Sequence, residues 1–246
     1  SFEESSFLHE QFEGLPIAIV QASSYIKNCA VSLPLFIKRL DENKQNLLMI
    51  GIDIYRRKNG NFISAIILAY EQLKKSLPVQ AQLLISILSF FASSGIPIIY
   101  ISHLISTKEG LPKDFFNEDN PIADIEECIK AIEELINSSL IINKGEDMFA
   151  MHRLVSESIR WYLKKDPSKN LKIQEELLKV FFVSFEPQET FYKYLSPSMS
   201  LMAPHLAYLL DTIEPFERFR RQYRRYIVTL NYRMAMCKLA VSDRIS

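Results

Sequence analysis

Most enzyme chemistry in this chain would have to be assembled from four histidines, three cysteines and six glycines. Their spacing assembles little. His9, His103, His152 and His205 stand far apart, none with a second His, Cys or Asp at metal-ligand spacing, so no metal site is expected. Cys29, Cys128 and Cys237 form neither the close pairs of a zinc site nor the dense framework of a secreted mini-protein, and a reducing, cytoplasmic setting follows. Glycines at 14, 51, 60, 95, 110 and 145 cannot build a phosphate loop with its Lys and Ser or Thr, nor a dinucleotide fingerprint. The pairs Glu126-Glu127 and Glu133-Glu134 recur at helical spacing on one polar face, the ordinary pattern of a solvated surface. No catalytic set is expected, and these residues alone should not hydrolyse nucleotide.

Two short strings and one cluster carry more. Glu13-Gly14-Leu15-Pro16-Ile17-Ala18 places a proline ring where a helix starts, a rigid apolar face with no N–H to desolvate and suited to stacking under a purine. Met151-His152-Arg153-Leu154-Val155 places a histidine donor between a strand pattern and a helix pattern. Taken alone, the strings favour the plainer reading, in which Pro16 simply starts a helix and His152 is a strand-end or core histidine. Arg218, Arg220, Arg221, Arg224 and Arg225 interleave with Phe216, Phe219, Tyr223 and Tyr226. That pattern fits an amphipathic helix with aromatic residues inward and arginines in solvent, with contact to an acidic protein surface or nucleic acid as the functional alternatives.

The elements that must position these residues are mostly helical. Apolar residues Phe7, Leu8, Phe12, Leu15, Ile19, Val20, Ala22 and Ile26 recur at threes and fours around the Gly14-Leu15-Pro16 break, and Ser32 can cap a helix over Leu33–Asp41. Arg56-Arg57-Lys58-Asn59-Gly60-Asn61 reads as an exposed connection. Helices are expected over Phe62–Ser76 and Val79–Phe91, a short proline-entered helix over Pro97–Leu104, and a long loop over Ser106–Pro121. Ile122–Asn137 sets isoleucines on one face and Asp124, Glu126, Glu127, Glu133 and Glu134 on the other. Leu140–Ile142 and Met148–Met151 then flank Lys144-Gly145-Glu146-Asp147 as a β-hairpin, so helices run into a two-stranded wing. A helix over Arg153–Lys164 ends at an Asp166-Pro167-Ser168 turn, Leu171–Phe185 is another, and Phe216–Ile245 is helical again.

The expected fold is therefore mainly α: a small helical domain over residues 1–55, a winged-helix domain with a short hairpin over 62–165, and C-terminal helices over 168–246. Composition agrees. The chain has 246 residues, 48% hydrophobic, with 6 Gly and 11 Pro, which excludes disordered and collagen-like classes. Lys plus Arg equals Asp plus Glu at 29 each, so no overall charge draws it toward nucleic acid or anionic lipid. The most apolar stretch, Leu83–Ile105, is broken by Ser93-Ser94-Gly95 and Pro97, and no membrane span is expected. The acidic start without a Met suggests a piece of a longer protein.

Together, Gly14-Leu15-Pro16, with Gln21 to Ile26 after it, and Met151-His152-Arg153-Leu154 resemble the Gly-Leu-Pro and Met-His-Asp motifs of the NB-ARC (STAND-class) signal-transduction NTPases. Ile96-Pro97-Ile98 and Ser138-Ser139-Leu140-Ile141 resemble the winged-helix segment of the same family, in the microbial branch that carries tetratricopeptide repeats. The resemblance spans roughly Phe7 to Lys164. It implies an ADP/ATP switch whose phosphate-loop domain lies upstream of these residues. Pro16, with Gly14 and Leu15, would then pack on adenine, and His152 would hydrogen-bond the β-phosphate of ADP. Arg153 stands where the plant pattern has Asp. ADP or ATP would bind the longer parent and not this portion alone, and the C-terminal helices would lead toward a repeat array serving a protein partner or self-oligomer. Two other readings compete, a winged-helix DNA-binding regulator and a helical protein-interaction scaffold without nucleotide. The helix over Ile122–Asn137 speaks against the first, because five carboxylates against Lys130 alone would repel phosphates.

Overall fold

The computed structural model describes residues 2–49, 60–75, 77–93, 95–97, 125–145, 148–184, 197–213 and 221–242. Over these the protein is mainly α, with ten helices and one small antiparallel sheet. The helices are α1 (Phe2–Gln11), α2 (Pro16–Cys29), α3 (Leu33–Met49), α4 (Gly60–Leu73), α5 (Val79–Leu88), α6 (Ile125–Asn137), α7 (Arg153–Leu163), α8 (Pro167–Ser184), α9 (Pro197–Thr212) and α10 (Arg224–Ser242). The strands are β1 (Ile96–Pro97), β2 (Ile142–Gly145) and β3 (Met148–Ala150).

Helix α4 organises the first half. Its apolar residues Phe62, Ile63, Ala65, Ile66, Ile67 and Tyr70 are all buried, so it has no solvated stripe and is covered by α2, α3 and α7. Phe12 reaches it from the α1–α2 turn, with ring centroids 6.1 Å from Phe62. The buried polar pair between α3 and α4 is satisfied: Asn43 donates to the Ser64 carbonyl at 3.0 Å and the Ser64 hydroxyl to the Leu40 carbonyl at 3.3 Å.

Helix α6 bears out the isoleucine pattern in part: Ile129, expected on its apolar face, is 39% exposed. Ala131, Ile132 and Leu135 are buried against α5, while Glu126, Glu133 and Glu134 are exposed. It closes through left-handed Ser139 at φ 55°, with the Leu140 N–H on the Leu135 carbonyl at 3.0 Å, a C-terminal reversal that turns the chain into the hairpin. Leu140 and Ile141 belong to that buried reversal, not to the strand expected there, which starts at Ile142.

The sheet has strand order β1-β3-β2, with Ile96 opposite Phe149 and Ile142 opposite Ala150. Pro97 therefore lies in a strand, where the sequence suggested the start of a helix; the remainder of that helix, 98–104, lies outside the described residues, as do the Ser106–Pro121 loop and most of the 55–61 connection. A second correction concerns Asp166-Pro167-Ser168. Pro167 opens α8, and the Asp166 carboxylate caps it by accepting the Lys169 N–H at 3.0 Å. Helix α3 also runs to Met49, well past the expected Asp41.

In the second half, α8 packs on α7, α5 and α10, and α10 on α9. Phe91, just after α5, meets Phe181 of α8 at 5.7 Å and the His205 ring of α9 at 5.3 Å. Arg233 of α10 donates to the Phe182 carbonyl at 2.6 Å and lies 4.5 Å over the Phe182 ring.

Candidate functional site

The Gly-Leu-Pro string forms the reversal between α1 and α2. Glu13 at φ 48° and Gly14 at φ 70° are both left-handed, and the Gly14 N–H closes on the His9 carbonyl at 2.8 Å. A Cβ on Gly14 would meet only the tip of the exposed His9 ring, at 2.9 Å, so it is the left-handed backbone that favours glycine here. Leu15 is the N-cap residue with no side-chain cap bond, and Pro16 occupies the first helical turn, where no N–H is lost. Leu15 packs against the core and the Pro16 ring is exposed.

His152 is the N-cap of α7. Its Nδ1 accepts the Leu154 N–H at 3.2 Å, which fixes the neutral tautomer with the proton on Nε2. Partial burial lowers its pKa, favouring that same neutral form. The residue is exposed and Nε2 has no partner among the described residues. Before it, Met151 is buried and its N–H donates to the Ser93 carbonyl at 3.0 Å, anchoring the strand that delivers the histidine. Pro16 and His152 thus stand at the starts of two helices that both pack on α4, one offering an apolar face and the other a donor.

Two further side chains connect these elements to the rest. Buried Gln21 of α2 donates through Nε2 to the Ser139 and Ser138 carbonyls at 3.2 and 3.4 Å, tying α2 to the reversal ahead of the hairpin. Buried His205 of α9 donates from Nε2 to the Gly95 carbonyl at 2.9 Å, next to β1, leaving Nδ1 buried without a partner among the described residues. Burial pushes the His205 pKa down, because a proton on Nδ1 would leave a buried charge. Between the lowered folded value and the ordinary 6.5 the unfolded chain holds more protons than the folded one, so stability rises with pH there. Urea midpoints should be flat above that ordinary value and fall below it, and His205→Gln, which keeps the donor to Gly95, should flatten the decline. An unchanged slope would remove His205 from the account.

Residues 72–168 match the model of a domain of unknown function, DUF7779. No curated protein and no solved structure matches the chain. The matched segment covers less than half of the chain, from the end of α4 into the first turn of α8. It holds the whole helix-and-hairpin unit and His152, and excludes Gly14, Leu15 and Pro16.

Within the DUF7779-matching segment, the exposed face of α6 carries Glu126, Glu133 and Glu134 beside Lys130. Duplex DNA in moderate salt should bind this chain no more tightly than a neutral control protein. Salt-sensitive binding lost on charge reversal at Lys130 and Lys144 would contradict that. Among the described residues no group of three or more His, Cys, Asp or Glu is placed to hold a metal ion, and no helix is long and apolar enough to cross a membrane. Of the arginine cluster, Arg221, Arg224 and Arg225 are exposed, while Arg218 and Arg220 lie outside the described residues. Tyr223 is buried and Tyr226 packs on Phe182 at 4.8 Å, so these two rings point inward and the three described arginines outward, while Phe216 and Phe219 lie outside the described residues.

Proposed function

We propose that this chain is the regulatory portion of an ADP/ATP-dependent signalling switch, coupling nucleotide state to protein-partner binding or self-oligomerisation in the cytoplasm. The supporting observation is the placement of His152: an exposed imidazole at a helix start, with Nδ1 committed to the cap and the Nε2 proton outward. That is a donor for an anionic ligand, delivered by a hairpin rather than buried in a core. Gly14, Leu15 and Pro16 supply the second contact, an exposed proline ring for adenine. The similarity of both strings to NB-ARC motifs joins them into one reading. With six glycines and no phosphate loop, these residues do no nucleotide chemistry themselves; slow ATP hydrolysis belongs to a phosphate-loop domain elsewhere in the parent.

Coupling follows from the packing. Gln21 bridges α2 to the reversal before the hairpin, and His205 bridges α9 to the turn before β1, so a displacement of the hairpin unit breaks hydrogen bonds on both sides. The full-length protein should retain ADP through purification, and ADP in hundredfold excess over its Kd should raise its unfolding free energy by about 2.7 kcal/mol. A full-length protein that is nucleotide-free and indifferent to ADP and ATP would leave the scaffold reading instead.

A further inference from the structure

The charges of this protein cancel in total but not in space. On α6 the exposed positions Glu126, Ile129, Lys130, Glu133 and Glu134 form one stripe, with three carboxylates around an isoleucine that is 39% exposed. On α10, Arg224, Arg225 and Val228 form another, with Val228 58% exposed. Beside that second stripe runs a groove of about 400 Å³ between α9 and α10, lined by Leu210, Ile213, Ile227 and Val228 with Arg221 and Arg224 at its edge. Each surface is an amphipathic strip, and the two have opposite sign.

We propose that these surfaces are the two halves of one self-association interface, the acidic face of α6 on one copy seating on the α10 groove of a second copy. Charge complementarity selects this occupant: Ile129 is the apolar ridge, and Glu126 and Glu133 flank it one turn away on either side. With the two helices antiparallel and Ile129 against Val228, Glu133 comes opposite Arg224 and Arg225, which sit one turn before Val228. Lys130 lies on the same face and is the one charge of the wrong sign. A net charge of zero removes the overall repulsion that would keep copies apart. The pairing joins different patches, so it is head to tail and able to extend or close into a ring. It gives a surface to the self-oligomerisation in the proposed switch, and it does not depend on nucleotide.

Sedimentation velocity on the 246-residue chain tests it. The chain should associate in low salt and weaken at least about tenfold between about 0.05 and 0.5 M salt. Glu133→Lys with Glu134→Lys should leave monomers, as should Arg224→Glu with Arg225→Glu, each with an unchanged circular dichroism spectrum. Mixing the two variants should restore a two-chain species, and all four changes in one chain should restore association. Monomeric wild-type chain throughout, or association untouched by both reversals, would overturn the proposal. Should a double reversal alter the spectrum, Glu133→Gln with Glu134→Gln and Arg224→Gln with Arg225→Gln replace it, and undiminished association in both would overturn the proposal equally. Retention of ADP by the full-length protein carrying either reversal would separate failure here from failure of the nucleotide reading.

Discussion

Truncating Phe91 to alanine is expected to lower the unfolding free energy by about 3–5 kcal/mol, a large share of the roughly 5–15 kcal/mol of a typical domain. Phe91 is 1% exposed and joins three helices: it follows α5, and its ring meets Phe181 of α8 and His205 of α9. Removing it deletes the aromatic contacts and leaves a void that close-packed neighbours cannot fill without strain. The α9 contribution should suffer most, because the His205 bond to Gly95 depends on the same stack. Phe91→Leu keeps most of the volume and should cost about half or less. Urea denaturation of the three chains checks this, and a loss below about 1 kcal/mol for the alanine would mean that the second half of the core packs elsewhere.

The second large effect concerns nucleotide. If His152 donates to the diphosphate in the closed state of the parent, His152→Ala removes a charge-assisted hydrogen bond worth about 1.5–3 kcal/mol. That shifts the closed-to-open balance about ten- to a hundredfold. The same side chain caps α7, so alanine also costs the helix about 1 kcal/mol. His152→Asn separates the two contributions: asparagine caps as well as any residue but is too short to place its donor where Nε2 stands. Stability should therefore return in the asparagine variant while ADP retention does not. Recovery of both would make His152 a capping residue only.

The helix-and-hairpin unit was legible because its signals are local. Isoleucines at helical spacing over 125–136 leave one solution for α6, and Lys144-Gly145 between two apolar runs leaves a hairpin. Strand β1 was not legible. Two residues have no periodicity, and Pro97 carries the same helix-start signal as Pro16, so only its pairing with Met148 across fifty residues of chain decides it. Asp166-Pro167 failed for a related reason, since an aspartate before a proline ends one helix and caps the next with the same two residues. The places of Pro16 and His152 at helix starts were legible from their strings. The roles of Gln21 and His205 were not, because their partners are 117–118 and 110 residues away and nothing near them in sequence marks the contact.

In the proposed switch His152 selects a nucleotide state whereas Pro16 supplies plain affinity. This division of roles is tested most directly by the rate at which labelled ADP leaves the full-length protein, measured side by side for the wild type, His152→Ala and Pro16→Ala, with ATP affinity measured in parallel. ADP release should be about ten- to a hundredfold faster in the His152 variant with ATP affinity little changed, and the Pro16 variant should show a weaker, equal loss of both nucleotides. Equal loss of ADP and ATP affinity in the His152 variant, with no change in activation, would contradict it.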